Sequence, residues 1–140
     1  MKIAIIGTGN LGKSIAKGLI TTDAITSLYL TKRNLSDIQS FEGYKNVHLT
    51  SNNIEAVKQS DILICAVQPA RFEEILQNIK PYLTEKHVLI STITGFTISK
   101  IEVTKCNCLC FSLFLWYASF CECFGIFKGV ECWVIHTALI

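Results

Sequence analysis

Directly behind the apolar run Ile3-Ala4-Ile5-Ile6 stands Gly7-Thr8-Gly9-Asn10-Leu11-Gly12, and few backbones accommodate that juxtaposition. A short continuous apolar run reads as a strand buried on both faces. Behind the glycines, Leu11, Ile15, Ala16 and Leu19 recur at helical spacing, with Lys13 and Lys17 on the other side. That pattern predicts an amphipathic helix over Asn10 to Ile20. Strand, glycine turn and helix in that order is the context in which G-x-G-x-x-G signifies a phosphate-binding turn rather than a glycine-rich turn without a ligand.

Each glycine has a stated task in that reading. Gly7 permits the sharp turn, Gly9 has no Cβ to hold a pyrophosphate off the backbone, and Gly12 lets helix and strand approach. The helix N-terminus then presents unpaired N–H groups and partial positive charge to an anion. Thr8, Asn10 and Leu11 fill the positions between.

Further along, Ser27 to Thr31, Asn46 to Thr50, Asp61 to Val67 and His87 to Ile93 read as strands. Leu35 to Phe41, Asn53 to Gln59 and the stripe Phe72, Ile75, Leu76, Ile79 read as helical. Strands alternating with helices imply right-handed crossovers. The expected fold is therefore α/β, a Rossmann-like doubly wound, mainly parallel sheet.

Cofactor choice is expected at the end of the second strand. An NAD-selective domain places an Asp or Glu there, about 20 residues on, to accept from the ribose. Here the residues are Thr31, Lys32, Arg33 and Asn34, with no carboxylate before Asp37. Small polar groups beside two cations suit a 2′-phosphate, with Arg33 supplying the fork. NADP(H) is thus expected over NAD(H); the competing interpretation is a solvated Lys-Arg pair. Ala66, Val67, Gln68 and Pro69 close the fourth strand where parallel strands form a ligand crevice, although a proline-terminated strand accounts for them equally on spacing alone. Ser91 to Gly95 ends the fifth strand in the same position.

Four segments together resemble the pyrroline-5-carboxylate reductase family over roughly residues 1–102. They are Gly7 to Leu11 with Gly18-Leu19, Thr31 to Asn34, Asn53 with Asp61 and Ala66 to Pro69, and Ser91 with Thr94 to Thr97. The resemblance implies NADPH binding and reduction of 1-pyrroline-5-carboxylate to L-proline. It also adds Asn53 and Thr94 to the cofactor contacts. Gln68 stands where the family has lysine, and Thr94 where it has alanine. The family is homo-oligomeric, and its helical dimerisation domain, which builds most of the imino-acid pocket, is not recognisable here. Alternatives with a similar amino-terminal half are the F420-dependent NADP reductases, the β-hydroxyacid dehydrogenases, and a non-catalytic dinucleotide-binding module held to a membrane by its tail.

Composition changes sharply at residue 106. Residues 1–105 carry 21 of 24 charged side chains and one of seven cysteines; residues 106–140 carry six cysteines, both tryptophans and five of eight phenylalanines. Residues 1–105 are read as the dinucleotide domain and 106–140 as a tail unlike the family. Zinc is disfavoured, because the cysteines are spaced C-x-C rather than with two to four residues between them. A membrane span is marginal, since Leu109 to Phe127 is broken by Glu122 and a span needs about 20 apolar residues. A slip of reading frame near Thr104 accounts best for the composition; with the pocket domain not recognisable, weak NADPH binding and little or no turnover are expected.

The near-neutral net charge of +2 gives no footing for nucleic acid. Met1-Lys2 leads into a run too short for a secretory leader, so a cytoplasmic location is expected. No catalytic residue and no metal ligand is assigned. His48 and His87 fall in or beside strands as structural residues, and Cys65 is expected to be buried and inert.

Overall fold

Parallel strands need long crossovers, and the spacing of the apolar runs supplies them. The computed structural model describes residues 1–93 and the backbone of residues 109–112. In chain order it has β1 (Lys2–Ile6), α1 (Asn10–Ile20), β2 (Ser27–Thr31), a 3-10 helix (Leu35–Phe41), β3 (Val47–Thr50), α2 (Asn53–Lys58), β4 (Ile62–Cys65), α3 (Pro69–Ile79), a 3-10 turn (Lys80–Tyr82), β5 (Val88–Ser91) and β6 (Leu109–Ser112). The sheet runs β3-β2-β1-β4-β5-β6, and every pairing is parallel. This is the doubly wound order, in which the chain leaves β1 to one side and returns past it to β4.

The two faces follow from strand alternation. Ile3 and Ile5 point to one side, where they pack with Leu28, Leu30, Ala16 of α1, and Ile38 and Phe41 of the 3-10 helix. Ala4 and Ile6 point to the other, against Ala56 and Val57 of α2 and Phe72, Leu76 and Ile79 of α3. The helical stripe expected from Phe72 to Ile79 is thus the buried face of α3. Pro69 does not merely stop a strand. It opens this helix at a position whose N–H would be unpaired anyway.

Differences from the sequence reading are small and have causes. The strand expected over Asp61 to Val67 is confined to Ile62–Cys65. Its partner β1 ends at Ile6, because Gly7 turns away at φ 87°, and only Ala66 N–H still reaches Ile6 O, at 2.9 Å. The helix expected at Leu35 to Phe41 is a 3-10 helix. Leu109–Ser112, inside the composition-defined tail, pairs with β5 from Val88↔Leu109 to Ser91↔Ser112 and extends the sheet by one strand. The remaining tail readings, zinc, membrane span or altered frame, fall outside the described residues.

His48 and His87 have structural roles here. His48 is exposed on β3 and stacks on Tyr29 at 4.7 Å between centroids. The His87 Nδ1 accepts from Thr84 N–H at 3.0 Å. That fixes the proton on Nε2, which faces Val57 O at 3.3 Å. Cys65 is buried in β4. No helix among the described residues is long and apolar enough to cross a membrane.

Candidate dinucleotide site

The crevice lies at the carboxyl ends of β1, β2 and β4, and its floor is the turn from β1 to α1. Gly7 is required there for two reasons. Its φ of 87° disfavours any side chain, and a Cβ would collide with Val67 Cγ1 and approach Ala66 O. Gly12 is required by packing, since a Cβ would sit 2.8 Å from Gly7 O and 3.3 Å from Ile5 Cγ2.

Gly9 differs from both. Its φ is −80°, and a Cβ placed on it meets nothing within 4 Å among the described residues. The fold itself therefore does not demand glycine at this position. Gly9 is also the N-cap of α1 and has no side chain with which to cap it. The first intrahelical bond, Lys13 N–H to Gly9 O at 2.9 Å, begins only at the fourth helical residue. The N–H groups of Asn10, Leu11 and Gly12 thus precede the regular ladder, as helix geometry requires. They stand at the positive end of the helix.

Thr8 adds a polar group to the turn. Its side chain is fully buried, and its Oγ1 has no hydrogen-bond partner among the described residues. A buried hydroxyl left unpaired costs on the order of 1–3 kcal/mol. Asn10 and Leu11 are exposed at the start of α1, Leu11 at 40%.

The β2 end is tied to this turn. Thr31 Oγ1 accepts from Gly7 N–H at 3.2 Å, and Thr31 O accepts from Thr8 N–H at 2.8 Å. The next residues are fixed in turn, because Lys32 N–H donates to Thr50 O at 3.2 Å. Asn34 caps the 3-10 helix, its Oδ1 accepting from Ser36 N–H at 3.3 Å and Ser36 Oγ at 2.9 Å.

The two cations after β2 have different situations. Arg33 is exposed and makes no ion pair among the described residues. Lys32 Nζ stands 2.9 Å from Asp37 Oδ2. The hydrogen bond and charge of Lys32, helped by Lys13, hold the Asp37 carboxyl below its ordinary value of 3.8. The sequence reading paired Lys32 with Arg33 and did not foresee the ion pair.

On the far side, Ala66 and Val67 are partly buried behind the glycine turn, and Gln68 is the exposed N-cap of α3, with Pro69 following. Thr92 ties β5 to β4 by donating Oγ1–H to Cys65 O at 2.9 Å. Asn53 is the first residue of α2 and half-buried; the cap is its neighbour Asn52, which accepts from Ile54 and Glu55 N–H. Thr94 lies outside the described residues. No cluster of three His, Cys, Asp or Glu that could hold a metal occurs among the described residues.

Comparison with known proteins gives concordant results. A family model described as NADP oxidoreductase, coenzyme F420-dependent, matches residues 2–95. The chain is 43% identical over 104 residues to pyrroline-5-carboxylate reductase 1 of Dictyostelium discoideum, covering 71% of this chain and 18% of that protein. It is 42% identical over 102 residues to pyrroline-5-carboxylate reductase 2 of the same organism, covering 71% of this chain and 34% of that one. Among solved structures, Plasmodium falciparum pyrroline carboxylate reductase with NADP bound matches with a TM-score of 0.62 at 29% identity, over 74% of this chain and 37% of the other. The chain therefore spans only about a fifth and about a third of the length of these two curated relatives.

Proposed function

The chain belongs to the family described as NADP oxidoreductase, coenzyme F420-dependent, and from that premise we propose that it is the NADPH-binding part of a pyrroline-5-carboxylate reductase. The observation that carries the cofactor half of this reading is the turn at Gly9. A Cβ there meets nothing within 4 Å among the described residues, and Gly9, the N-cap of the helix behind it, has no side chain to cap it. A diphosphate accounts for both features, since it would take that space and accept from the first-turn N–H groups. The buried, unpartnered Thr8 hydroxyl fits the same group as a further donor.

Within this reading the chain's own residues bind and orient. Asn10, Leu11 and Gly12 would hold the diphosphate through their backbones, and Gly7 lets the chain turn beneath it. Arg33, at the end of β2, would meet the 2′-phosphate with a planar pair of donors. Ala66, Val67 and Gln68 close the crevice beside the glycine turn. When bound, NADPH would supply the hydride for the substrate's C=N carbon, with solvent supplying the proton to nitrogen, and the protein would supply placement and electrostatics.

The imino-acid substrate is proposed from the 43% and 42% identity to the two Dictyostelium reductases. The family description favours a second reading, an F420-dependent NADP reductase. Assaying a chain extended to relatives' length with NADPH and either 1-pyrroline-5-carboxylate or oxidised F420 separates the two. Turnover of the imino acid alone supports the first reading; turnover of F420 alone rejects it.

A further inference from the structure

The Lys32–Asp37 pair is built rather than incidental. Lys32 is anchored by its N–H on Thr50 O. Asp37 sits in the first turn of the 3-10 helix, which is capped by Asn34 and seated by the buried side chains of Ile38 and Phe41. The carboxylate is thus held at 2.9 Å from Lys32 Nζ by backbone fixed at both ends. Lys13, half-buried at the start of α1, adds its charge to the same carboxylate. Arg33, between Lys32 and the cap, is left exposed and without an ion pair among the described residues.

An anion arriving at the end of β2 therefore meets Lys32 already paired and Arg33 without an ion pair among the described residues. We infer that Asp37 is a specificity-determining residue, an internal competitor that occupies Lys32 and leaves Arg33 to discriminate NADPH from NADH. This rests on the dinucleotide reading of the site. Asp37 weakens the 2′-phosphate contribution without touching the diphosphate, so it sets the ratio of the two affinities. The ion pair is partly exposed, at 26% for Lys32 and 47% for Asp37, so its effect is modest and sensitive to salt.

The test measures the affinities of the 140-residue chain for NADPH and NADH in four forms: unaltered, Asp37→Asn, Lys32→Met and the double variant. Asparagine keeps the shape and removes the charge, and NADH affinity reports an intact site. Asp37→Asn is expected to tighten NADPH about three- to tenfold, with NADH changed by less than about twofold. The double variant should lose that gain, and about 0.5 M salt should shrink it. If Asp37→Asn weakens NADPH, leaves the ratio unchanged or moves both affinities equally, the inference is wrong while the dinucleotide site stands. If the unaltered chain binds neither nucleotide, the dinucleotide reading fails and this inference with it.

Discussion

Thr31 Oγ1 accepts the Gly7 N–H at 3.2 Å, which ties the end of β2 to the turn leaving β1. The same residue's carbonyl takes Thr8 N–H at 2.8 Å. Two strands that contribute different parts of the crevice are thereby registered to each other. Thr31→Val keeps the shape but leaves the Gly7 donor unpaired. It should cost roughly 1–2 kcal/mol of stability, read as a lower urea midpoint with unchanged slope.

Gly9 and Gly12 make opposite predictions from the same substitution. Gly9→Ala enters free space at an ordinary φ, so stability should stay within about 1 kcal/mol while NADPH affinity falls tenfold or more. Gly12→Ala puts a Cβ 2.8 Å from Gly7 O and should cost about 1–3 kcal/mol. Chemical denaturation paired with NADPH titration of both variants checks the contrast. Equal loss of stability would remove the argument that Gly9 is glycine for a ligand's sake.

Arg33 is expected to carry the 2′-phosphate. Arg33→Gln should weaken NADPH about 10- to 100-fold, the range for hydrogen bonds to a charged group, and leave NADH within about twofold. A fluorescence titration with both nucleotides decides it. Unchanged NADPH affinity would return Arg33 to the solvated surface.

The Asp37 carboxyl is held below 3.8 first by its hydrogen bond from Lys32, then by the charges of Lys32 and Lys13. A depressed folded-state pKa stabilises the fold at pH values above the unfolded one, and the contribution disappears as pH falls through the folded one. Carboxyl titration by NMR should therefore place Asp37 below an ordinary aspartate, and Lys32→Met should raise it. An unshifted Asp37 would mean the pair does not persist in solution.

The parts of the fold legible in the sequence are those set by burial on both faces. Ile3 to Ile6, Leu28 and Leu30, and Leu63 to Cys65 are apolar because helices cover both sides of the central strands. The glycine turn was legible in part because the backbone path excludes side chains at Gly7 and Gly12. Asn53 was named through the family resemblance alone; it opens α2, and the cap is Asn52 before it. Adjacent asparagines are equivalent in sequence, and only the turn's dihedral angles separate them. The Lys32–Asp37 pair was hidden because it depends on a 3-10 turn lying between its members. β6 was masked by the cysteine-rich composition around it, although Leu109, Cys110 and Phe111 suit a strand.

Calorimetric titration of the unaltered 140-residue chain with NADPH at low ionic strength bears most directly on the account. A saturable heat with one nucleotide per chain, displaced by added NADP⁺ and abolished when Gly9 is replaced by valine, is the predicted result. A folded chain that takes up neither NADPH nor NADH at millimolar concentration would contradict it.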